Sequence, residues 1–178
     1  MSLNDLPKVV ETEVVYDGFF QVRKDRLEFS GENYSYYTLK TRPFAVMVLA
    51  RTSSGQYVIN REYRHPTSQI LLSCPGGVQD RQESPEECAI RELKEETGYE
   101  AVHFKKIGES YPFPGITSQK TLYFLATQAK KTHEPTLERA EFIETLLLQP
   151  EELNHAIKMG QPVDGLLLTA LFFNCLHQ

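Results

Sequence analysis

The sequence predicts an α/β fold: a mixed sheet with helices on both faces, preceded by an antiparallel β meander. Three observations lead there. Phe44–Ala50 is an unbroken apolar run, the pattern of a strand covered on both sides. The stretch from Ser84 to Gly98 carries the start and stop signals of a complete amphipathic helix. Strands and helices also interleave without strict βαβ alternation, which favours a mixed sheet over a parallel one. The 178 residues suit one domain with a small arm. A chain of this size buries roughly 70% of its unfolded surface and needs neither disulfide nor structural metal to fold.

The elements follow in order, and Pro43 divides them into an arm at 1–42 and a main domain at 43–178. In the arm, Val9–Tyr16 is rich in β formers, and Asp17-Gly18 signals a turn. Phe19–Phe29 alternates imperfectly, Ser30–Asn33 turns again, and Tyr34–Thr41 completes the meander. Beyond Phe44–Ala50, Ser53-Ser54-Gly55 leads into Gln56–Glu62 as a hairpin. Further strands are expected at Val102–Ser110, Lys120–Gln128 and Phe142–Leu148. One C-terminal helix starts at Pro150-Glu151-Glu152 and stops at Gly160, and another runs from about Asp164 to Cys175.

In the central helix, Ser84 caps, Pro85 occupies the first helical position, Glu87 completes a capping box and Gly98 supplies the left-handed stop, so the helix should span Pro85–Thr97. At about 100° per residue, Ala89, Ile90, Leu93 and Thr97 share a side and should be buried. Glu92, Glu95 and Glu96 share another, at spacings that make carboxylates neighbours. Like charges so placed repel, and a solvated acidic face would be the plain explanation. A hard divalent cation is the other, because it turns the repulsion into a set of oxygen ligands.

Composition narrows the function. Nineteen Lys and Arg stand against 24 Asp and Glu, and the net charge of −5 offers no field for long nucleic acid. No apolar run approaches the ~18 residues of a membrane span, and Met1-Ser2-Leu3-Asn4-Asp5 does not read as a signal peptide. Cys74, Cys88 and Cys175 form no Cys-x-x-Cys pair, so a reducing cytoplasm is expected, with Cys88 as filler.

From Gly77 the chain reads Gly77, five residues, Glu83, seven residues, Arg91-Glu92-Leu93, one residue, Glu95-Glu96, one residue, Gly98-Tyr99. This resembles the Nudix box, with Tyr99 where an aliphatic residue is more usual. The resemblance implies the Nudix α/β/α sandwich and hydrolysis of a nucleoside diphosphate linked to another moiety, with Mg²⁺, or Mn²⁺, as cofactor. By position in the motif, Glu92, Glu95, Glu96 and the carbonyl of Gly76 would hold metal. Glu83 and Arg91 would support that helix from behind.

Outside the box, Arg61-Glu62-Tyr63-Arg64-His65-Pro66 resembles a stretch of ADP-ribose pyrophosphatases and implies that Arg64, with Arg61, meets substrate. Tyr111–Thr117, with Pro114 sixteen residues beyond Gly98, looks like the Pro-Gly loop of the same branch. The meander around Tyr16–Phe19 resembles the arm those enzymes exchange between subunits, which implies a homodimer, and Phe19 or Phe20 is the candidate to stack on a base. Two departures widen the substrate from ADP-ribose to nucleoside diphosphate sugars, GDP-mannose-like ones included: Ser73-Cys74 before the box, where the branch often has an acid, and Ser118-Gln119 after the Pro-Gly loop, where a glutamate is frequent. The catalytic base of this branch comes from a mobile loop, here Glu134–Glu141, with Glu141 preferred to Glu138; Glu95 is the alternative within the box. The rival functions are action on nucleoside triphosphates or RNA 5′ ends, and non-catalytic sensing of a nucleotide sugar.

Overall fold

The computed structural model describes residues 5–177, and the chain divides into two compact units. The first unit runs up to Pro43 and takes in Tyr111–Gln119. It holds a three-stranded antiparallel sheet, β1 (Lys8–Asp17), β2 (Gln21–Phe29) and β3 (Glu32–Lys40), in that order. Ser30 and Gly31, both at positive φ, make the second turn. Segment Tyr111–Gln119 is stitched to β3 and the residues after it. Leu39 N donates to Ile116 O at 2.7 Å, Tyr36 Oη to Gly115 O at 2.7 Å, and Gln119 Nε2 to Arg42 O at 3.2 Å.

The second unit, Phe44–Ser110 with Lys120–Gln178, is built on a mixed sheet. Its middle is β4 (Phe44–Thr52), parallel to β10 (Lys120–Lys131) and antiparallel to β5 (Tyr57–Arg64). Outside β5 lies β11 (Ile143–Leu148), and outside β10 lie β8 (Tyr99–Glu100) and β9 (His103–Ser110). Three short strands, β6 (Gln69–Ser73) on β5, β7 (Gly76–Val78) on β4 and β8 on β10, were not expected from the sequence. They have little periodicity of their own and exist through pairing.

The pleat of β4 sorts two cores. Val46, Val48 and Ala50 pack with Ala89 and Leu93 of helix α1 (Pro85–Thr97), while Met47 and Leu49 pack with Leu153 of α2 (Pro150–Lys158) and Leu167 and Ala170 of α3 (Gly165–Leu176). The strand is thus covered on both faces, as its apolar run requires. The α1 boundaries match the expected ones, and both halves of the capping box form. One expectation fails: Ile90 is 42% exposed, while Cys88 is fully buried in its place. Cys88 lies 100° behind Ala89 on the helix, so the buried arc is centred closer to Cys88 than the apolar pattern implied. No helix of the described residues is long and apolar enough to cross a membrane.

Candidate metal and active site

Strand β5 carries polar groups on the face that meets α1. Val58 belongs to the α1 core and Ile59 to the opposite one, so alternation puts Asn60 and Glu62 on the α1 side. Both are buried, Glu62 at 7% exposure. From above come Glu92, 8% exposed, and Glu96, 6% exposed. The plain reading of the acidic helix face as solvated therefore does not hold for these two. Glu95, with its side chain 45% exposed, does face outward.

Glu96 Oε2 accepts from Asn60 Nδ2 at 2.8 Å and from Gly76 N at 3.0 Å. Burial holds its carboxyl well above the usual range, and the charges of Glu92, Glu62 and Glu141 add to that rise. Burial likewise pushes Glu92 up to about 7, with Arg91 pulling the other way. Glu62 is raised by burial and partly relieved by Arg64, whose Nη1 lies 2.6 Å from its Oε1. Ser73 Oγ donates to Glu62 Oε2 at 3.4 Å, so the serine before the box serves an acid supplied by the neighbouring strand.

Arg91 ties the acidic face together. Its Nε and Nη2 grip Glu83 at 3.1 and 2.8 Å, and its Nη1 reaches Glu92 Oε1 at 2.8 Å and Glu95 Oε2 at 2.9 Å. That guanidinium holds Glu83 down at about 2. Gly77 packs directly under Glu92, where a Cβ would lie 2.5 Å from Oε1. Among the described residues, no three His, Cys, Asp or Glu side chains converge closely enough to grip an ion. The donor set still fits a hard divalent cation. It is all oxygen, and two of its acids are buried with raised affinity for protons, which a cation would replace.

The loop between β10 and β11 is anchored at both ends. Thr136 N donates to Glu95 O at 2.7 Å, and Tyr63 N to Phe142 O at 3.1 Å. Between these anchors, Glu138 and Glu141 close a turn on themselves: Glu141 N donates to Glu138 O at 3.0 Å, and Glu138 N to Glu141 Oε2 at 2.7 Å. Glu141 is the loop acid whose charge raises Glu62, Glu92 and Glu96. Arg61 pairs with Glu144 at 2.8 Å across the β5–β11 ladder, away from this face.

The remaining sequence candidates belong to the first unit. Phe19 is fully exposed, and Phe20 packs on Tyr16 with ring centroids 5.6 Å apart. Pro114 lines a cavity of about 280 Å³ with Arg23, Tyr36, Lys40, Thr117 and others. Sequence reasoning missed Asn60 and Glu62. The signal was present, since both interrupt the apolar face that Val58 begins.

Residues 41–170 match the model of the NUDIX domain. The ADP-ribose pyrophosphatase of Bacillus subtilis is 30% identical over 160 residues, covering 89% of this chain and 86% of that protein. A GDP-mannose pyrophosphatase of Yersinia pestis is 30% identical over 142 residues, covering 75% and 71%. A methanol dehydrogenase activator of Bacillus methanolicus is 28% identical, covering 92% and 90%. Among solved structures, one described as an ADP compounds hydrolase superposes with a TM-score of 0.83 at 25% identity, over 94% of this chain and 91% of that one.

Proposed function

The chain belongs to the Nudix family as a hydrolase related to ADP-ribose and GDP-mannose pyrophosphatases, and from that membership we propose that it hydrolyses the pyrophosphate bond of a nucleoside diphosphate sugar, ADP-ribose being the first to test. The products are a nucleoside monophosphate and a sugar phosphate. The observation that carries this reading is the pair of buried acids, Glu92 and Glu96, set beside Glu62 and within reach of the charge of Glu141. Buried like charges are costly unless a cation joins them. Glu92, Glu95, Glu96 and the Gly76 carbonyl would hold Mg²⁺, or Mn²⁺. Such an ion, when bound, neutralises pyrophosphate oxygens and activates water.

The chain's own residues do the rest. Arg64 offers its guanidinium to the pyrophosphate, with Glu62 fixing its position. Glu83 and Arg91 hold the acidic face of α1 in register. Glu141 takes the proton from the attacking water, in preference to Glu138, because its charge is the one felt by the buried acids. The meander serves as a homodimer element: Val9, Val14, Tyr16, Tyr34 and Tyr37 are all exposed on a three-stranded sheet, more apolar surface than such a sheet keeps in water. The three free cysteines suit a cytoplasmic location.

The test is a hydrolysis panel with ADP-ribose, GDP-mannose, UDP-glucose, nucleoside triphosphates and 5′-triphosphate RNA, run with Mg²⁺ and with EDTA in ¹⁸O water. Turnover of a nucleotide sugar with Mg²⁺ alone is expected. Faster turnover of triphosphates or RNA would replace the substrate assignment, and binding of a nucleotide sugar without turnover would make the protein a sensor.

A further inference from the structure

Asn60 is fully buried on the same face of β5 as Val58, which belongs to the apolar core. A buried amide costs free energy unless both of its ends are bonded. Here both are. Nδ2 donates to Glu96 Oε2 at 2.8 Å, and Oδ1 accepts from Thr145 Oγ1 at 3.4 Å. Thr145 stands directly opposite Asn60 in the β5–β11 ladder. A carboxylate that holds a cation is ionised and only accepts, so in that state the amide turns its NH₂ to Glu96, and the threonine hydroxyl satisfies the other end. Gly76 N donates to the same Oε2 at 3.0 Å. Both protein donors therefore fall on one oxygen of Glu96, and Oε1 receives none among the described residues.

We infer that Asn60, oriented by Thr145, is a positioning residue that reserves Glu96 Oε2 for the protein and leaves Oε1 as the single oxygen offered to a divalent cation. The inference rests on the metal reading above. Its physical content is selectivity. Mg²⁺ takes carboxylates through single oxygens in a tight octahedron, whereas Ca²⁺ has a larger shell that accepts both oxygens of one carboxylate. An oxygen already committed to two N–H donors is poorly available for two-oxygen binding. The site is thereby biased toward Mg²⁺ and Mn²⁺ and against Ca²⁺. The amide also holds the ligand in one rotamer, which a pair of charge-assisted bonds does better than packing alone.

The experiment titrates Mn²⁺ into the metal-free full chain by electron paramagnetic resonance, with Mg²⁺ and Ca²⁺ as competitors, for wild type, Asn60→Leu, Asn60→Ser and Thr145→Val. Each variant is measured well below its own Tm. In wild type, Mg²⁺ is expected to displace Mn²⁺ at lower concentration than Ca²⁺ does. Both Asn60 variants should weaken Mn²⁺ binding by roughly 10–100-fold. They should also narrow the Mg²⁺-to-Ca²⁺ preference, because Glu96 regains its second oxygen. Thr145→Val keeps the packing and should move both readouts the same way by a smaller factor. A structural role alone would lower Tm and leave the preference untouched, and that result overturns the inference. So does Mn²⁺ binding within twofold of wild type in Asn60→Ser and Thr145→Val, should Asn60→Leu fail to fold. A wild type that binds no Mn²⁺ overturns the metal reading itself, and the inference with it.

Discussion

Glu96 shows how much a single position owes to its surroundings. Helical spacing makes it a neighbour of Glu92 and Glu95, but its burial comes from β5, which passes beneath it with Asn60. Glu96→Gln should lower turnover by orders of magnitude, since an amide is a poor ligand for a hard cation. The same change removes a buried acid, so the metal-free fold should be no less stable; kcat together with thermal unfolding in EDTA checks both halves. Gly77→Ala should weaken metal binding while the helix stays intact, because its Cβ would push on Glu92, and a Mn²⁺ titration reads this. For the base, Glu141→Gln should cut kcat by roughly 10²–10⁴, leave KM nearly unchanged and flatten the acidic limb of the pH–rate profile, with Glu138→Gln close to wild type. If both variants turn over normally while Gln119→Glu is faster, the proton leaves through a box residue such as Glu95 instead.

Helix α1 was the most legible element, because its boundaries are written in local chemistry. Ser84 Oγ accepts from Glu87 N at 3.3 Å, and Glu87 Oε2 from Ser84 N at 2.8 Å. Ser84→Ala should cost about 1 kcal/mol in urea unfolding with little loss of activity. Gly98 has φ of 74°, and a Cβ there would run into the His133 carbonyl, which opens the loop after β10. Gly98→Ala should therefore destabilise by more than about 1 kcal/mol, whereas the same change at a position of ordinary φ would stabilise. The helix face was less legible. Ile90 is the more apolar of the two yet is exposed while Cys88 is buried, so the sheet below, not the pattern, decided which of them turned inward.

For the whole molecule, the buried acids set an unusual pH dependence. Glu92 has its folded pKa raised from the ordinary 4.5 to about 7, so its favourable contribution is complete below pH 4.5 and is lost as pH rises toward 7. That loss is about 3 kcal/mol. Glu96 acts in the same direction. Glu83 acts in the opposite one: its contribution is present above 4.5 and lost as pH falls toward 2. The metal-free protein should thus be most stable in mildly acid solution, and Mg²⁺ should raise Tm more at pH 8 than at pH 5. Scanning calorimetry with and without Mg²⁺ across that range checks the sign. Sedimentation at micromolar concentration should show a homodimer, and a monomer would remove the role given to the meander.

Much of this protein was determined by sequence alone: the α/β class, the meander, the boundaries of α1, and the family that its box and its relatives share. These depend on periodicity, caps and fixed spacing, which act over a few residues. Strands β6 and β7, the burial of Glu92 and Glu96, and the meeting of Asn60, Gly76, Glu96 and Thr145 were decided only by tertiary structure. Asn60 and Glu96 are 36 residues apart, and Asn60 and Thr145 are 85 apart. Contacts at that separation follow from strand order and from which face of β5 packs under α1. No local pattern records strand order, because any one strand's alternation is equally compatible with several neighbours.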